Sequence, residues 1–318
     1  GSTEQFDRFT DGWRSLWFFL IVGVLVYLGL VWGIAGVERT SKILLPALVV
    51  IVVGLAIYSL TLSGASDAIS FYFSVHLDDL TNIKLWGMAG GQAFYSLSIG
   101  LGFLITYGSY TSPGTNIVYS SATVAVINSA VSITAGLMIF PIVFTFGIAP
   151  DSGSQLAFTA FPNVFGELAG GRVIAIAFFW LLFLAAFTSC FGGLTVVLAP
   201  VRDEFRISKA RAALIVSAIT IALGIPSALS FTSAGWNIGG KPVLDVVDQV
   251  TGSGVVLVAG IIGASLIAWV IPSRKLIHAM MPDNHDWRVG PLSVNRVIIV
   301  GRYLPVVALV VVLATVLL

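Results

Sequence analysis

Eight apolar stretches, each long enough to cross a bilayer as a helix, constrain the fold of this chain more than any other feature. A crossing helix needs about 20 mostly apolar residues, and such runs lie at roughly 15–36, 41–62, 86–108, 116–147, 172–200, 210–232, 243–271 and 295–318. They are too long and continuous for barrel strands, whose segments alternate over about ten residues. Composition points the same way: 57% of the 318 residues are hydrophobic, 33 are glycine and 10% are charged, with a mean hydropathy of +1.00. Soluble domains carry roughly 25% charged residues, and one of this size leaves about a quarter of its surface in water. The 16 basic and 15 acidic side chains could not cover that surface. The sequence therefore reads as an all-α integral membrane protein, with residues 1–14 as an extracellular N-terminal segment and 15–318 as a transmembrane helical bundle.

The same inventory excludes other classes. One cysteine, Cys190, rules out an internal disulfide framework and any multi-thiolate metal site of this chain. His76, His278 and His285 are scattered, and there is no HExxH, GxSxG, CxxC or GxxxxGK[ST] motif, so hydrolase, redox and ATPase readings lose their support. A net charge of +1 leaves no clustered basic face for nucleic acid. Orientation follows from Lys and Arg, which favour cytoplasmic loops. With the N-terminus outside, eleven of the 16 fall inside: Arg39, Lys42, Arg202, Arg206, Lys209, Arg211, Arg274, Lys275, Arg288, Arg296 and Arg302. Gly1-Ser2 has the look of a cloning remnant, and a start without Met before an outward-facing segment implies helices upstream. The longer connectors, 63–85 and 148–171, hold aromatic pieces too short to cross, which are expected over one mouth of the bundle.

Two spans carry more polarity than lipid-facing helices need. The third places Ser96, Ser98, Gly100 and Gly102 near its middle. Glycine is a poor helix former, and a broken helix at this depth is tolerated where protein or ligand satisfies the freed backbone; interrupted spans of this kind hold substrate and ions in secondary transporters. Close helix packing through small residues is the alternative. Gln92 and Ser96 share a face at i, i+4, as Asn128 and Ser132 do on the fourth span. These four uncharged groups form either an interhelical hydrogen-bond cluster or an ion site, Asn128 offering a carbonyl to a cation and its amide to an anion.

The fifth span contains Ala185, Thr188 and Ser189 before Gly192-Gly193. Two hydroxyls and a carbonyl are hard oxygen ligands suited to a small cation, although such hydroxyls commonly bond back to the preceding turn. Cys190 reads as a small buried hydrophobe. On the seventh span Asp245 and Asp248 are spaced i, i+3; one fits a helix-start cap, and Asp248, deeper, is the better gate charge. Arg202-Asp203-Glu204 is by default a solvated turn.

In order, these features match one family. Gly91-Gln92-Ala93-Phe94-Tyr95-Ser96-Leu97-Ser98-Ile99-Gly100-Leu101-Gly102, with Ile105 to Tyr110, resembles the sixth helix of the neurotransmitter:sodium symporters, the family of the bacterial leucine transporter and the serotonin and GABA transporters. Asn128, Thr188-Ser189, the Arg202-Asp203-Glu204 turn, Leu244 to Asp248 and Arg302-Tyr303-x-Pro305 follow in family order. The resemblance implies helices four to eleven of a partial inverted-repeat (5+5) sodium symporter fold with a discontinuous third span. It also implies that the first three helices are missing partners, so that the chain alone would not transport.

By the same resemblance, Ser96 and Asn128 belong to one sodium site, and the Ala185 carbonyl, Thr188 and Ser189 to a second. Gln92, Ser96, Asn128 and Ser132 resemble the chloride site; the leucine transporter has an acid at the position of Ser132, so the serine implies chloride dependence. Tyr95, Ser96, Ser98, Leu101, Ser189, Gly192 and Gly193 resemble substrate-lining positions, and the two glycines imply a bulky or aromatic neutral amino acid. Tyr95 would be the outer lid, Asp248 the outer gate acid, and Asp203 and Tyr110 parts of the inner gate. The implied activity is sodium-coupled amino acid symport by alternating access in the plasma membrane, with no enzyme chemistry. A channel or sodium-sensing receptor on the same scaffold, or a non-transporting fragment, is the alternative.

Overall fold

The structure, a computed structural model, describes residues 13–32, 34–74, 77–112, 114–148, 161–230, 232, 234–272, 275, 288–289, 292–293, 303–304, 306–312 and 314. In chain order the helices are α1 (Arg14–Trp32), α2 (Ile34–Ser59), α3 (Ala65–Phe73), α4 (Ile83–Ser96), α5 (Phe103–Gly108), α6 (Ile117–Thr145), α7 (Phe161–Phe165), α8 (Gly171–Phe205), α9 (Lys209–Ala228), α10 (Val243–Val247) and α11 (Val256–Ser265). A 3-10 turn spans Leu77–Thr81, π-helical turns fill Asp248–Val255 and Leu266–Val270, and residues 306–312 are helical. Two-residue strands make two antiparallel hairpins, β1 (Asn237–Ile238) with β2 (Lys241–Pro242) and β3 (Arg288–Val289) with β4 (Leu292–Ser293).

Six helical stretches among the described residues are long and apolar enough to cross a membrane: Arg14–Val31, Ser41–Ser59, Ile117–Thr145, Gly171–Phe205, Lys209–Ala228 and Val243–Val270. The 86–108 run is not a continuous rod, since α4 ends at Ser96 and α5 begins at Phe103. The N-terminal residues 1–12, His76, His278, His285 and most of the run 295–318 lie outside the described residues. Large apolar side chains turned outward, such as Val50, Leu223 and Ile105 at 71%, 74% and 78% exposure, give these helices the surface a hydrocarbon solvent requires.

Two compact units divide the chain, Gly1–Val75 with Ala130–Val246, and His76–Ser129 with Val247–Leu318. In the first, α8 packs against α1, α2, α7 and α9. Val26 and Leu30 of α1, Phe191 and Leu198 of α8, and Ala212, Ala213 and Val216 of α9 form one buried cluster. Small residues let these helices approach: a Cβ on Gly29 would stand 2.6 Å from the Phe191 ring. A second cluster joins Val52 and Leu55 of α2, Met138 and Ile142 of α6, Phe161 and Phe165 of α7, and Phe178 of α8. Phe178 meets Phe161 and Phe165 edge-on at 5.1 and 5.4 Å between ring centres, the geometry aromatic quadrupoles favour. Outside the apolar core of α2, Lys42 Nζ donates to Glu38 one turn away at 2.6 Å, and this contact holds the Glu38 carboxyl below its ordinary value.

The second unit contains α4, α5, the first part of α6, and the rod running from Asp248 through α11 to Val270. Asn82 opens α4 by accepting the N–H groups of Lys84 and Leu85 at 3.1 and 3.4 Å, the usual work of an asparagine cap. Leu257, Leu309 and Val312 form its buried core, with Phe94, Ile261 and Ala264 packed against them. The seventh apolar run reads as plain helix, yet Asp248–Val255 is π-helical. Gly252-Ser253-Gly254 supplies little α propensity there, and such wide turns occur as local insertions in α-helices.

Candidate ion and substrate site

The interruption of the third span is built from backbone hydrogen bonds. At the end of α4, Ser98 N–H donates to Tyr95 O at 3.0 Å and Ile99 N–H to Phe94 O at 2.9 Å. This paired pattern is the Schellman ending, which needs a left-handed residue just past the helix, usually glycine. Here that residue is Ser98, with φ of 58°. Gly100 and Gly102 follow with φ of 87° and 79°, and the Gly102 carbonyl then accepts Thr106 N–H to start α5. Three positive φ values within five residues turn the chain out of helix without a proline.

Ser96 occupies the last turn of α4, beside this break. Asn128 Nδ2 donates to Ser96 Oγ at 2.6 Å in a half-buried setting. The bond uses one of the two Asn128 amide protons and leaves its carbonyl oxygen as an acceptor suited to a cation. Ser96, serving as acceptor, keeps its own O–H to donate to an anion. A hydroxyl and an amide at this spacing thus form a neutral pair that keeps an oxygen able to accept and a proton able to donate. Gln92 lies one turn earlier on α4 and is exposed. Tyr95 is 59% exposed, and Ser98 and Leu101 are half-buried. Tyr110 follows α5 and is exposed, and Asp248 opens the π-helical turn, its Oδ1 3.1 Å from where a Cβ on Gly252 would stand.

The first unit holds the remaining residues of interest. On α8, Thr188 Oγ1 donates to the Leu184 and Ala185 carbonyls at 2.8 and 3.1 Å, and Ser189 Oγ donates to Ala185 O at 2.9 Å. The back-bonded arrangement open to hydroxyls in apolar helices is therefore the one present. It gathers three oxygens at one turn, with the hydroxyl lone pairs available to a cation once the protons point to the carbonyl. Gly192 is buried and Gly193 half-buried on the same helix, Ser132 is an exposed residue of α6, and Cys190 is exposed as well. Asp203 is 72% exposed and 3.8 Å from Arg202 Nε, a pairing worth little in water.

Sequence reasoning grouped Gln92, Ser96, Asn128 and Ser132 through their shared polarity and depth; the structure joins Ser96 and Asn128 directly, while Gln92 and Ser132 are exposed. It missed the left-handed Ser98 and the backbone that Gly100 touches. A Cβ on Gly100 would lie 2.1 Å from the Val256 carbonyl oxygen of α11; the glycine is visible in the sequence, but its distant neighbour is not.

Comparison with known proteins agrees with this architecture. A protein named as an uncharacterised sodium-dependent transporter of Haemophilus influenzae is 33% identical over 246 residues, covering 76% of this chain and 53% of its own length. The sodium- and chloride-dependent GABA transporter 2 of Macaca fascicularis is 28% identical over 297 residues, covering 88% of this chain and 47% of its own length. The crystal structure of MhsT in complex with L-phenylalanine superposes with a TM-score of 0.86 at 33% identity, covering 99% of this chain and 71% of that one. The chain spans about half the length of the curated relatives it matches. Residues 10–317 match the profile described as the Sodium:neurotransmitter symporter family, a family of symporters and not of enzymes, and the chain belongs to it.

Proposed function

We propose that this protein drives uptake of a neutral, bulky or aromatic amino acid with the sodium gradient, by alternating access, in the plasma membrane. The observation that carries the reading is the Asn128–Ser96 hydrogen bond beside the broken span, since it orients a cation-facing oxygen and an anion-facing proton where backbone leaves its helix. Ser96 and Asn128 would serve one sodium site, and Ala185 O, Thr188 and Ser189 a second. Gln92, Ser96, Asn128 and Ser132 would serve chloride, which is supported by the chloride named for the GABA transporter relative. An anion near a neutral cation site offsets its charge, and that attraction is far stronger at low dielectric than in water.

Tyr95, Ser96, Ser98, Leu101, Ser189, Gly192 and Gly193 would line the substrate. The phenylalanine named in the MhsT structure and the paired glycines support a large side chain. Tyr95 and Asp248 would close the outer side, and Asp203 and Tyr110 the inner side. The N-terminus would lie outside, in keeping with eleven of 16 Lys and Arg falling toward the opposite side. A scintillation proximity screen of the twenty amino acids on the full-length protein, with and without sodium and chloride, tests all of this. Sodium- and chloride-dependent binding of an aromatic amino acid is the expected result. Binding that ignores sodium, or favours alanine over tryptophan, would overturn it.

A further inference from the structure

The break at Leu97–Gly102 does not stand free. Gly90 on α4 faces Val312, where a Cβ would come within 2.6 Å, and Phe94 packs on the cluster of Leu257, Leu309 and Val312. Beyond the end of α4, Ile99 Cγ2 lies 3.6 Å from where a Cβ on Gly260 would be. Gly100 presses closest: a Cβ there would meet Val256 O at 2.1 Å and Gly260 N at 3.0 Å. The atoms it meets are backbone atoms of one α-helical turn, and a helical turn cannot yield as a side-chain tip can. Val256 is also where the π-helical turn gives way to α11; its N–H still reaches back five residues to Thr251 O. The regular helix thus begins at the point where the break rests on it.

We infer that the Val256–Gly260 turn of α11 is a positioning element for the ion and substrate site: it props Ile99 and Gly100 and so sets the direction in which Ser96 and Ser98 are presented. This rests on the reading proposed above. Gly260 touches no expected ligand residue; a Cβ there would meet Leu309 Cδ2 at 3.4 Å and Ile99 Cγ2 at 3.6 Å, so bulk added at this position presses on both. Gly263, one turn on, has nothing within 4 Å of a Cβ and serves as the control.

The test measures sodium-dependent binding of labelled phenylalanine to the full-length protein, with folded yield taken from size-exclusion profiles. Overpacking a fitted contact forces its neighbours to shift, so Gly260→Leu should weaken apparent affinity for phenylalanine and sodium by about tenfold or more, while Gly263→Leu stays within about twofold. Adding Ile99→Ala to Gly260→Leu should restore part of the affinity by clearing the Ile99 side of the contact, with the Leu309 side still filled; a general loss of stability would not be relieved by a second truncation. If Gly260→Leu does not fold, Ile99→Ala alone, which removes the prop without adding bulk, should still weaken both affinities about threefold. Unchanged affinities in Gly260→Leu, no rescue by Ile99→Ala, or an unaffected Ile99→Ala would each overturn the inference while the transport reading stands. A wild-type protein that binds no amino acid with sodium would overturn both.

Discussion

Asn128 Nδ2 donates to Ser96 Oγ at 2.6 Å, tying α6 to the last turn of α4 before the chain leaves its helix. Replacing Asn128 by leucine keeps the bulk but strands the Ser96 hydroxyl in a half-buried place and removes the carbonyl proposed to face the cation. Losing one partner of a buried polar pair costs about 1–3 kcal/mol, and 1.4 kcal/mol is a factor of about ten in affinity. The sodium concentration for half-maximal substrate binding should therefore rise at least about tenfold in Asn128→Leu, read from sodium titrations of labelled substrate. An unchanged titration would remove Asn128 from the site.

Ser132 sits one turn beyond Asn128 on α6 and bears no charge of its own. A fixed carboxylate there would replace a bound anion. Ser132→Glu should transport as well in gluconate as in chloride, measured as initial uptake in proteoliposomes, whereas wild type should lose most of its rate without chloride. Continued strict dependence in the variant would count against the chloride assignment.

Ser98 holds a left-handed conformation that favours glycine. Ser98→Gly should relieve about 1 kcal/mol of backbone strain and raise the melting temperature in detergent by a few degrees. The same change deletes a hydroxyl proposed to line the substrate, so affinity should fall as stability rises. A variant that gains neither stability nor a weaker affinity would contradict the role given to this residue.

Gly100 allows no side chain. Gly100→Ala combines a positive φ with a Cβ placed 2.1 Å from a helix carbonyl, and incompatible backbone with overpacking should cost about 3 kcal/mol or more. Loss of folded protein on size exclusion, or a melting point lowered by several degrees, is the expected outcome. Wild-type stability would mean that the break rests elsewhere.

Gly193 is proposed to line the substrate, so a side chain there should narrow the space. Gly193→Leu should abolish binding of phenylalanine and tryptophan while leaving alanine or leucine able to compete for the site, read in competition assays. Equal loss for every amino acid would point to a packing role instead.

The membrane class, the helical character of the spans and the weak point of the third one were legible in the sequence, because they follow from local quantities. Hydrocarbon demands about 20 apolar residues per crossing, and the serines and glycines from Ser96 to Gly102 lower helix propensity within a single window. Paired polar residues at one depth also marked Ser96 and Asn128, since lone polar groups are costly there. What remained hidden depended on contacts between distant segments. Gly252-Ser253-Gly254 marks a weak point in the seventh run but not the π-helical form it takes, and nothing near Gly100 names Val256 and Gly260 as the backbone it meets. The choice of serine for the left-handed position at the end of α4 is likewise visible only in the dihedral angles. Hydropathy and propensity act along the chain and can be read from it. Steric fit between remote backbones arises only when tertiary packing brings them within van der Waals range.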